Sequence, residues 1–352
     1  MRVLMTGHDG YIGPVMLAMF QAAGHEVAGL DSFFFRGCSA AKEPAPVPAL
    51  RLDVRDVEER QLRGFDAVVH LAGLSNDPLA DLDPELTYAI NHRASVRLAG
   101  LARAAGVRRF LFSSSCSVYG AAGDDFLTEE SPVNPQTPYA VSKARVEEDV
   151  SRLADSDFSP VFLRNATAYG ASPRLRGDLV LNNLVGFACA TGEVLIKSDG
   201  QAWRPLIHVE DISRAFLAVL EAPRNLIHNQ AFNVGQTAES YRVSDLAEIV
   251  SEKVPGSRVT YSPDAGPDRR SYRVDCSRIA HTLPAFQPRW TVREGAEEVY
   301  AAYQRDRLTL ESFLSSRYVR LKQIKGLLAR GRLDATLRWR EPAATLAGAG
   351  RP

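Results

Sequence analysis

The chain has 352 residues, with 42 basic and 42 acidic side chains and a formal net charge of zero. That length is enough for a large core in two domains, or in one domain with a sizeable lobe, and the balanced charge supplies no global attraction to nucleic acid or membranes. The hydrophobic fraction of 45% and charged fraction of 24% are those of an ordinary soluble globular protein, and no run of about 18 apolar residues is present to span a membrane.

Met1-Arg2 leads straight into a strand-like run, so no signal peptide is expected. The four cysteines, Cys38, Cys116, Cys189 and Cys276, have no CxxC spacing. They suit reduced thiols in a cytoplasm better than a disulfide framework or a zinc site, and no metal is expected.

Arg2–Thr6 reads as a buried parallel strand. It ends in Gly7-His8-Asp9-Gly10-Tyr11-Ile12-Gly13, and an apolar helical pattern follows to about Ala23. Strand, glycine turn and helix together let a backbone approach a pyrophosphate and aim helix N–H groups at it. A second strand, Glu26–Leu30, ends at Asp31. An acid about twenty residues past the glycines accepts both ribose hydroxyls and repels a 2′-phosphate, which favours NAD over NADP.

Prolines alternating at Pro44, Pro46 and Pro48 mark an extended excursion. Leu50–Val54 is read as a short strand, with Asp53 either at an adenine edge or capping the next helix. Asp66–Gly73 is a further buried strand, in which His70 is a packed residue and Ala72-Gly73 leave room for a cofactor. The loop from Ser75 to Pro84 leaves the carboxyl end of a strand, where active-site loops lie. Glu85–Ala105 reads as one helix containing Asn91.

The strand Arg108–Phe112 delivers Ser113, Ser114 and Ser115. Tyr139 and Lys143 come next at helical spacing, on one face and one turn apart. An ammonium beside a phenol is expected to lower the phenol pKa. With a hydroxyl to hold a carbinol or carbonyl oxygen, this is a proton-transfer device for alcohol–ketone chemistry, which needs a hydride carrier.

Pro160–Arg164 is the next strand, ending in Asn165, and Ala168–Asn183 reads as loop. Gly192–Trp203 carries strand and turn signals and leads to Arg204; Asp211 stands near the start of a helix over 212–221. Ala231–Gly235 is a strand and turn, and Val243–Lys253 an amphipathic helix. Leu314, Tyr318, Leu321, Ile324 and Leu328 form one apolar helical stripe. Arg317, Arg320, Lys322, Lys325 and Arg330 make the other face, read as solvated, and the tail past Trp339 is expected to be disordered.

In this order the segments TGHDGYIG (6–13), Asp31, HLAG (70–73), Asn91, SSSCSVYG (113–120), YAVSK (139–143), LRNATAYG (163–170), RPLIHVED (204–211) and FNVG (232–235) are present. The chain resembles the extended short-chain dehydrogenase/reductase family over roughly residues 1–305, in particular its NAD-dependent nucleotide-sugar epimerases and dehydratases. The strand–helix alternation and the resemblance agree on an α/β fold. It is a doubly wound parallel sheet of the Rossmann kind, with a smaller mixed α/β substrate lobe and a C-terminal helical extension. The expected division is 1–165 for NAD, with its sheet completed by parts of 200–240, then 166–305 mainly for substrate, 306–340 as the extension, and 341–352 as the tail.

The resemblance implies NAD held by Gly7, Gly10, Tyr11, Ile12, Gly13, Asp31, Asp53, Val54, Leu71, Ala72, Gly73 and Asn91, with Tyr139 and Lys143 also touching it. It makes Tyr139 the base, Lys143 the ligand of the nicotinamide ribose, and Ser115 the group sharing the reacting oxygen. Ser75, Asn76, Asn165, Asn182, Asn183, Arg204 and Arg270 are the implied contacts to a nucleotide-diphosphate sugar. Arginine suits phosphate because its planar fork binds two oxygens. The arginine spacing in the 268–273 loop differs from that of epimerases, so Arg269 and Arg273 stand beside Arg270 as choices. A homodimer is implied as well.

Dehydratases of this family place an Asp-Glu pair directly after the catalytic threonine, where this chain has Cys116 and Ser117. Serine does not replace a carboxylate that removes a carbon-bound proton. The expected activity is therefore a redox-neutral epimerase, at C4 by resemblance, that oxidises a sugar hydroxyl transiently and returns the hydride. A ketoreductase or dehydrogenase of a nucleotide-linked deoxysugar needs the same residues and is the alternative; a dehydratase and a non-catalytic NAD sensor rank below. Cys116 is either a thiol acid–base in the dehydratase acid's place or a small packing residue.

Overall fold

The computed structural model describes residues 1–38, 46–266 and 271–340. Pro44, Asp268, Arg269, Arg270 and the tail 341–352 lie outside the described residues. Seven parallel strands make the central sheet: β1 (Arg2–Thr6), β2 (Glu26–Asp31), β3 (Ala49–Arg51), β4 (Ala67–His70), β5 (Arg109–Ser115), β6 (Ser159–Asn165) and β7 (Gln230–Val234). They lie in the order β7-β6-β5-β4-β1-β2-β3. The order reverses between β1 and β4, the switch point outside which ligands of such sheets bind.

The strands are apolar because helices cover both faces. On one face, Met16, Leu17 and Phe20 of helix Gly13–Ala22 and Ile212, Phe216 and Val219 of helix Val209–Glu221 pack on Val3, Met5 and Val69. On the other, Leu98 of helix Ala94–Ala104 and Val146 and Val150 of helix Pro138–Ser151 pack on Leu4, Val68 and Phe110. The second lobe joins Trp203–His208 to Thr167–Tyr169 and Ser240–Arg242, and Glu193–Ser198 to Arg258–Gly266. Helices Val180–Thr191, Val243–Lys253 and Val292–Arg305 complete its core. Among the described residues no helix is long and apolar enough to cross a membrane.

Several elements differ from the sequence reading. The strand expected over 50–54 stops at Arg51, because Asp53 accepts the Arg55 N–H and opens a 3-10 turn at Val54–Asp56. The long helix over 85–105 is interrupted by a π-helical segment, Tyr88–Arg93, which holds Asn91. Part of the loop expected over 168–183 is helical, since Val180–Thr191 is apolar almost all round and so gives no amphipathic period.

The single C-terminal helix is two. Helix Leu310–Phe313 ends at Leu314, and a second helix runs from Arg320 to Ala329. Phe313, Tyr318, Ile324 and Leu327 are buried, whereas Leu314 is exposed. Ile324, Leu327, Leu333 and Leu337 join the core that also contains Leu4 and Leu30. The extension therefore returns to the half of the molecule where the chain began.

Candidate active site

A cavity of about 1030 Å³ opens at the carboxyl ends of β1, β2, β4, β5 and β6. Gly7, Asp31, Leu71, Ser115 and Asn165 from those ends line it, as do Asn183, Lys197 and Arg204 from the second lobe.

The three residues expected to be catalytic, Ser115, Tyr139 and Lys143, are brought together by two elements. β5 continues through the serines, and Ser115, at its last position, also caps the following 3-10 turn by accepting the Ser117 N–H at 3.2 Å. Thr137 caps helix Pro138–Ser151 by accepting the Ala140 N–H at 3.2 Å, and Pro138 supplies a preset first turn. This start orients Tyr139 and Lys143. The Ser115 hydroxyl lies close enough to the Tyr139 phenol to favour its ionised form. Lys143 donates from Nζ to the Ser113 carbonyl at 2.7 Å and sits 5.6 Å from the Tyr139 ring centroid.

The electrostatics correct one expectation. Burial pushes the Tyr139 pKa up to about 12, with Asp77 adding to the rise and Ser115 and Arg176 opposing it. Burial also lowers Lys143 to about 8, against the attraction of Glu147. The low-dielectric pocket disfavours both charged forms, and at Tyr139 that outweighs the help of Ser115 and Arg176.

The glycine loop fits a dinucleotide. Gly7 lies at φ +75°, and a Cβ there would stand 2.6 Å from the Ala72 nitrogen. The loop thus folds tightly against β4's end and leaves the first amides of helix Gly13–Ala22, which have no intrahelical partner, at the cavity wall. The Asp31 oxygens accept the Asp9 N–H at 3.0 Å and the Phe33 N–H at 2.7 Å, one each. Each carboxylate oxygen keeps a lone pair for a ribose hydroxyl. Gly10, Tyr11, Ile12, Gly13, Asp53, Val54, Leu71, Ala72 and Gly73 line the same cavity. Asp53 also caps the turn that follows, accepting the Arg55 N–H at 2.9 Å, and its carboxylate pairs with the Arg55 side chain at 2.6 Å.

Three residues considered as contacts, Asn91, Asn182 and Arg273, are placed differently. Asn91 stands behind the wall, accepting the Leu74 N–H at 2.7 Å and donating to the Leu74 carbonyl at 3.0 Å; it shapes the wall without lining it. Asn182 is wholly buried and spends its amide on Gly170 and the Arg176 carbonyl, while Asn183, the next residue round the helix, lines the cavity. Arg270 lies outside the described residues, and Arg273 is clamped against Phe126 and Trp203 away from the cavity.

Cys116 is fully buried and faces away from the cavity, donating its thiol to the Arg164 carbonyl at 3.0 Å among Val118, Tyr272 and Cys276. Burial holds that thiol well above the usual cysteine range. It is Ser117 that lines the cavity.

Ser75, Asn76, Asn165 and Arg204 line it. Asn165 donates to the Ser113 hydroxyl at 3.0 Å, and Asn76 to Asp178 at 2.9 Å. The sequence reading missed Asp77, which accepts the Thr137 hydroxyl at 2.8 Å, and the pair Arg176–Asp178 at 2.8 Å. It also missed Tyr272 and Arg320 in the wall. The run Arg174-Leu175-Arg176-Gly-Asp178 was a visible charge cluster, but nothing local showed that it is buried.

The sequence pattern of the "NAD dependent epimerase/dehydratase family" matches residues 3–235. The UDP-glucose 4-epimerase 4 of Oryza sativa subsp. japonica is 31% identical over 330 residues, which span 84% of this chain and 87% of that enzyme. Among solved structures, the UDP-glucose 4-epimerase of Thermus thermophilus in complex with NAD superposes with TM-score 0.74 at 26% identity, covering 86% of this chain and 99% of its own. DesIV, a dTDP-glucose 4,6-dehydratase from Streptomyces venezuelae with NAD and TYD bound, gives TM-score 0.77 at 25% identity over 92% of this chain and 100% of its own. With the glycine loop, the acid at the end of β2 and the Ser115–Tyr139–Lys143 cluster all converging on one cavity, this chain belongs to the NAD dependent epimerase/dehydratase family.

Proposed function

We propose that this protein is a nucleotide-sugar 4-epimerase. NAD, when bound, supplies reversible acceptance of the carbon-bound hydrogen as hydride. The Tyr139 oxygen takes the proton of the sugar hydroxyl and later returns it, while the Ser115 hydroxyl holds the same oxygen in both its carbinol and keto forms. Lys143, fixed to the Ser113 carbonyl, keeps the Tyr139 side of the pocket positive when protonated. Asn165, Asn183 and Arg204 line the part of the wall suited to a nucleotide diphosphate.

The observation that carries this reading is the facing of the two residues after Ser115. Cys116 turns into the core, where burial keeps its thiol protonated, and Ser117 brings only a hydroxyl to the cavity, so neither position supplies a base to remove a carbon-bound proton. Epimerisation needs one acid–base group at the reacting oxygen, and the Ser115–Tyr139 pair is that group. Elimination is a second reading favoured by one residue, Asp77, whose charge is felt at Tyr139. Asp77 is already held by the Thr137 hydroxyl, which is why epimerisation ranks first.

The test is incubation of purified protein with UDP-, dTDP-, GDP- and CDP-sugars without added nicotinamide cofactor. A C4 epimer formed with no net NADH is the expected product. Accumulation of a 4-keto-6-deoxy sugar would establish elimination instead, and turnover that requires added NADH would make the enzyme a reductase. A cytoplasmic homodimer belongs to the same reading on resemblance alone, and analytical ultracentrifugation checks the dimer.

A further inference from the structure

Arg320 is the first residue of the last helix, more than three hundred residues from the glycine loop, yet it lines the same cavity. It lies beyond residues 3–235, the span matched by the family pattern. Its side chain is almost wholly buried, at 2% exposure. Nη2 donates to the Arg174 carbonyl at 2.8 Å, the charge of the guanidinium is felt at Cys38, and it stacks 4.2 Å from the Phe35 ring centroid. Nη1 is buried with no hydrogen-bond partner.

Among the described residues Arg320 makes no ion pair. The nearby acids have other first partners: Asp9 bonds Arg174 at 2.6 Å, with its second oxygen buried and unpartnered, and Asp178, whose charge is felt at Arg320, bonds Arg176 and Asn76. Arg176, which also lines the cavity, has an unpartnered buried Nη2 of its own. A buried cation with an acid near but no direct carboxylate partner is costly unless an anion enters its site.

The contacts of Arg320 identify which anion. Phe35 and Cys38 belong to the segment just after Asp31, and Arg174 pairs with Asp9 of the glycine loop. The extension is tied to the same segment: Gln323 donates to the Phe34 carbonyl at 3.0 Å, Trp339 Nε1 to the Ser32 carbonyl at 2.7 Å, and Cys38 to the Ser316 carbonyl at 3.3 Å. Every one of these tethers is on the cofactor side.

We propose that Arg320 donates from Nη1 to a phosphoryl oxygen of the NAD diphosphate, so that the C-terminal extension closes the cofactor site and retains NAD. This rests on NAD as the cofactor and does not depend on which sugar carbon reacts. The extension then has a function beyond packing, and the arginine that the sequence places on a solvated basic face is a ligand-binding residue.

The test uses the full-length chain stripped of cofactor. Calorimetric titration of Arg320→Gln is expected to show NAD and ADP-ribose bound about 10- to 100-fold more weakly than by the wild type, the loss of one charge-assisted hydrogen bond. Adenosine, which has no phosphate, is expected to bind unchanged, and so is UDP. Arg320→Lys, which keeps a point charge without the fork, is expected to fall between. Unchanged NAD affinity in a folded Arg320→Gln would overturn the proposal, as would a loss confined to UDP, which would assign the arginine to the substrate. If the variants do not fold, a crystal structure of the wild type with NAD decides: Nη1 within hydrogen-bond distance of a diphosphate oxygen supports the assignment, and a guanidinium turned away from it refutes it.

Discussion

Tyr139 provides the sharpest check on the electrostatics of the site. Its pKa of about 12 is two units above that of an ordinary phenol, which corresponds to an ionisation cost of at most about 3 kcal/mol from burial. At pH 10 an unperturbed tyrosine is about half ionised and Tyr139 only about 1% ionised. Phenolate absorbance near 295 nm, taken as wild type minus Tyr139→Phe in cofactor-stripped protein, isolates this one residue because the other tyrosines cancel. No difference signal is expected at pH 10. Adding NAD is expected to bring the signal to lower pH, since a positive nicotinamide ring beside the phenol favours the phenolate. Half an equivalent of phenolate at pH 10 without NAD would refute the conclusion that burial outweighs Ser115 and Arg176. The same variant is expected to lose about 10²- to 10⁴-fold in turnover, the usual contribution of a positioned acid–base; near-normal activity would remove Tyr139 from the proposed chemistry.

Cys116→Ala is expected to keep turnover within a few-fold while losing about 1–2 kcal/mol of stability in urea titration; a large loss of turnover at unchanged NAD content would restore an acid–base role for the thiol. Lys143 has its pKa depressed from 10.5 to about 8 in the folded chain, so at pH 7 both states are protonated and the folded one carries the burial penalty, up to about 3 kcal/mol. Lys143→Met is therefore expected to raise the melting temperature of cofactor-free protein at pH 7, with a gain that shrinks as pH rises from about 8 to 10.5, while NAD binding weakens. Arg164 bonds Glu147 at 2.7 Å and the Tyr119 hydroxyl at 2.9 Å inside the core. Arg164→Met is expected to cost about 3–5 kcal/mol by leaving Glu147 buried without its partner, measurable by chemical denaturation, and an unchanged midpoint would contradict that network.

Much of the fold was legible because its signals are local. Apolar runs alternating with helical periods implied a parallel sheet, Gly7 to Gly13 marked the first turn, and Asp31 stood at the end of the next strand. The four-residue step from Tyr139 to Lys143 put both on one helix face without any knowledge of the rest of the chain. Short-range geometry is enough for such statements, since the helix and strand periods alone set which side chains share a face.

What the sequence could not decide were facings and distant meetings. Cys116 and Ser117 are adjacent, and only the packing of the turn after β5 determines that the thiol enters the core while the hydroxyl meets the cavity. Asn182 and Asn183 divide in the same way across one helix. Arg320 reads as one more cation on a basic stripe until the extension folds back under Phe35 and Arg174. The sign of the Tyr139 shift likewise depends on how much protein surrounds the phenol, a quantity no local pattern carries. The sequence by itself determined which chemical groups the site has; tertiary structure decided which of them face the cavity and how burial sets their charge, because solvent exclusion is a property of the whole packed chain.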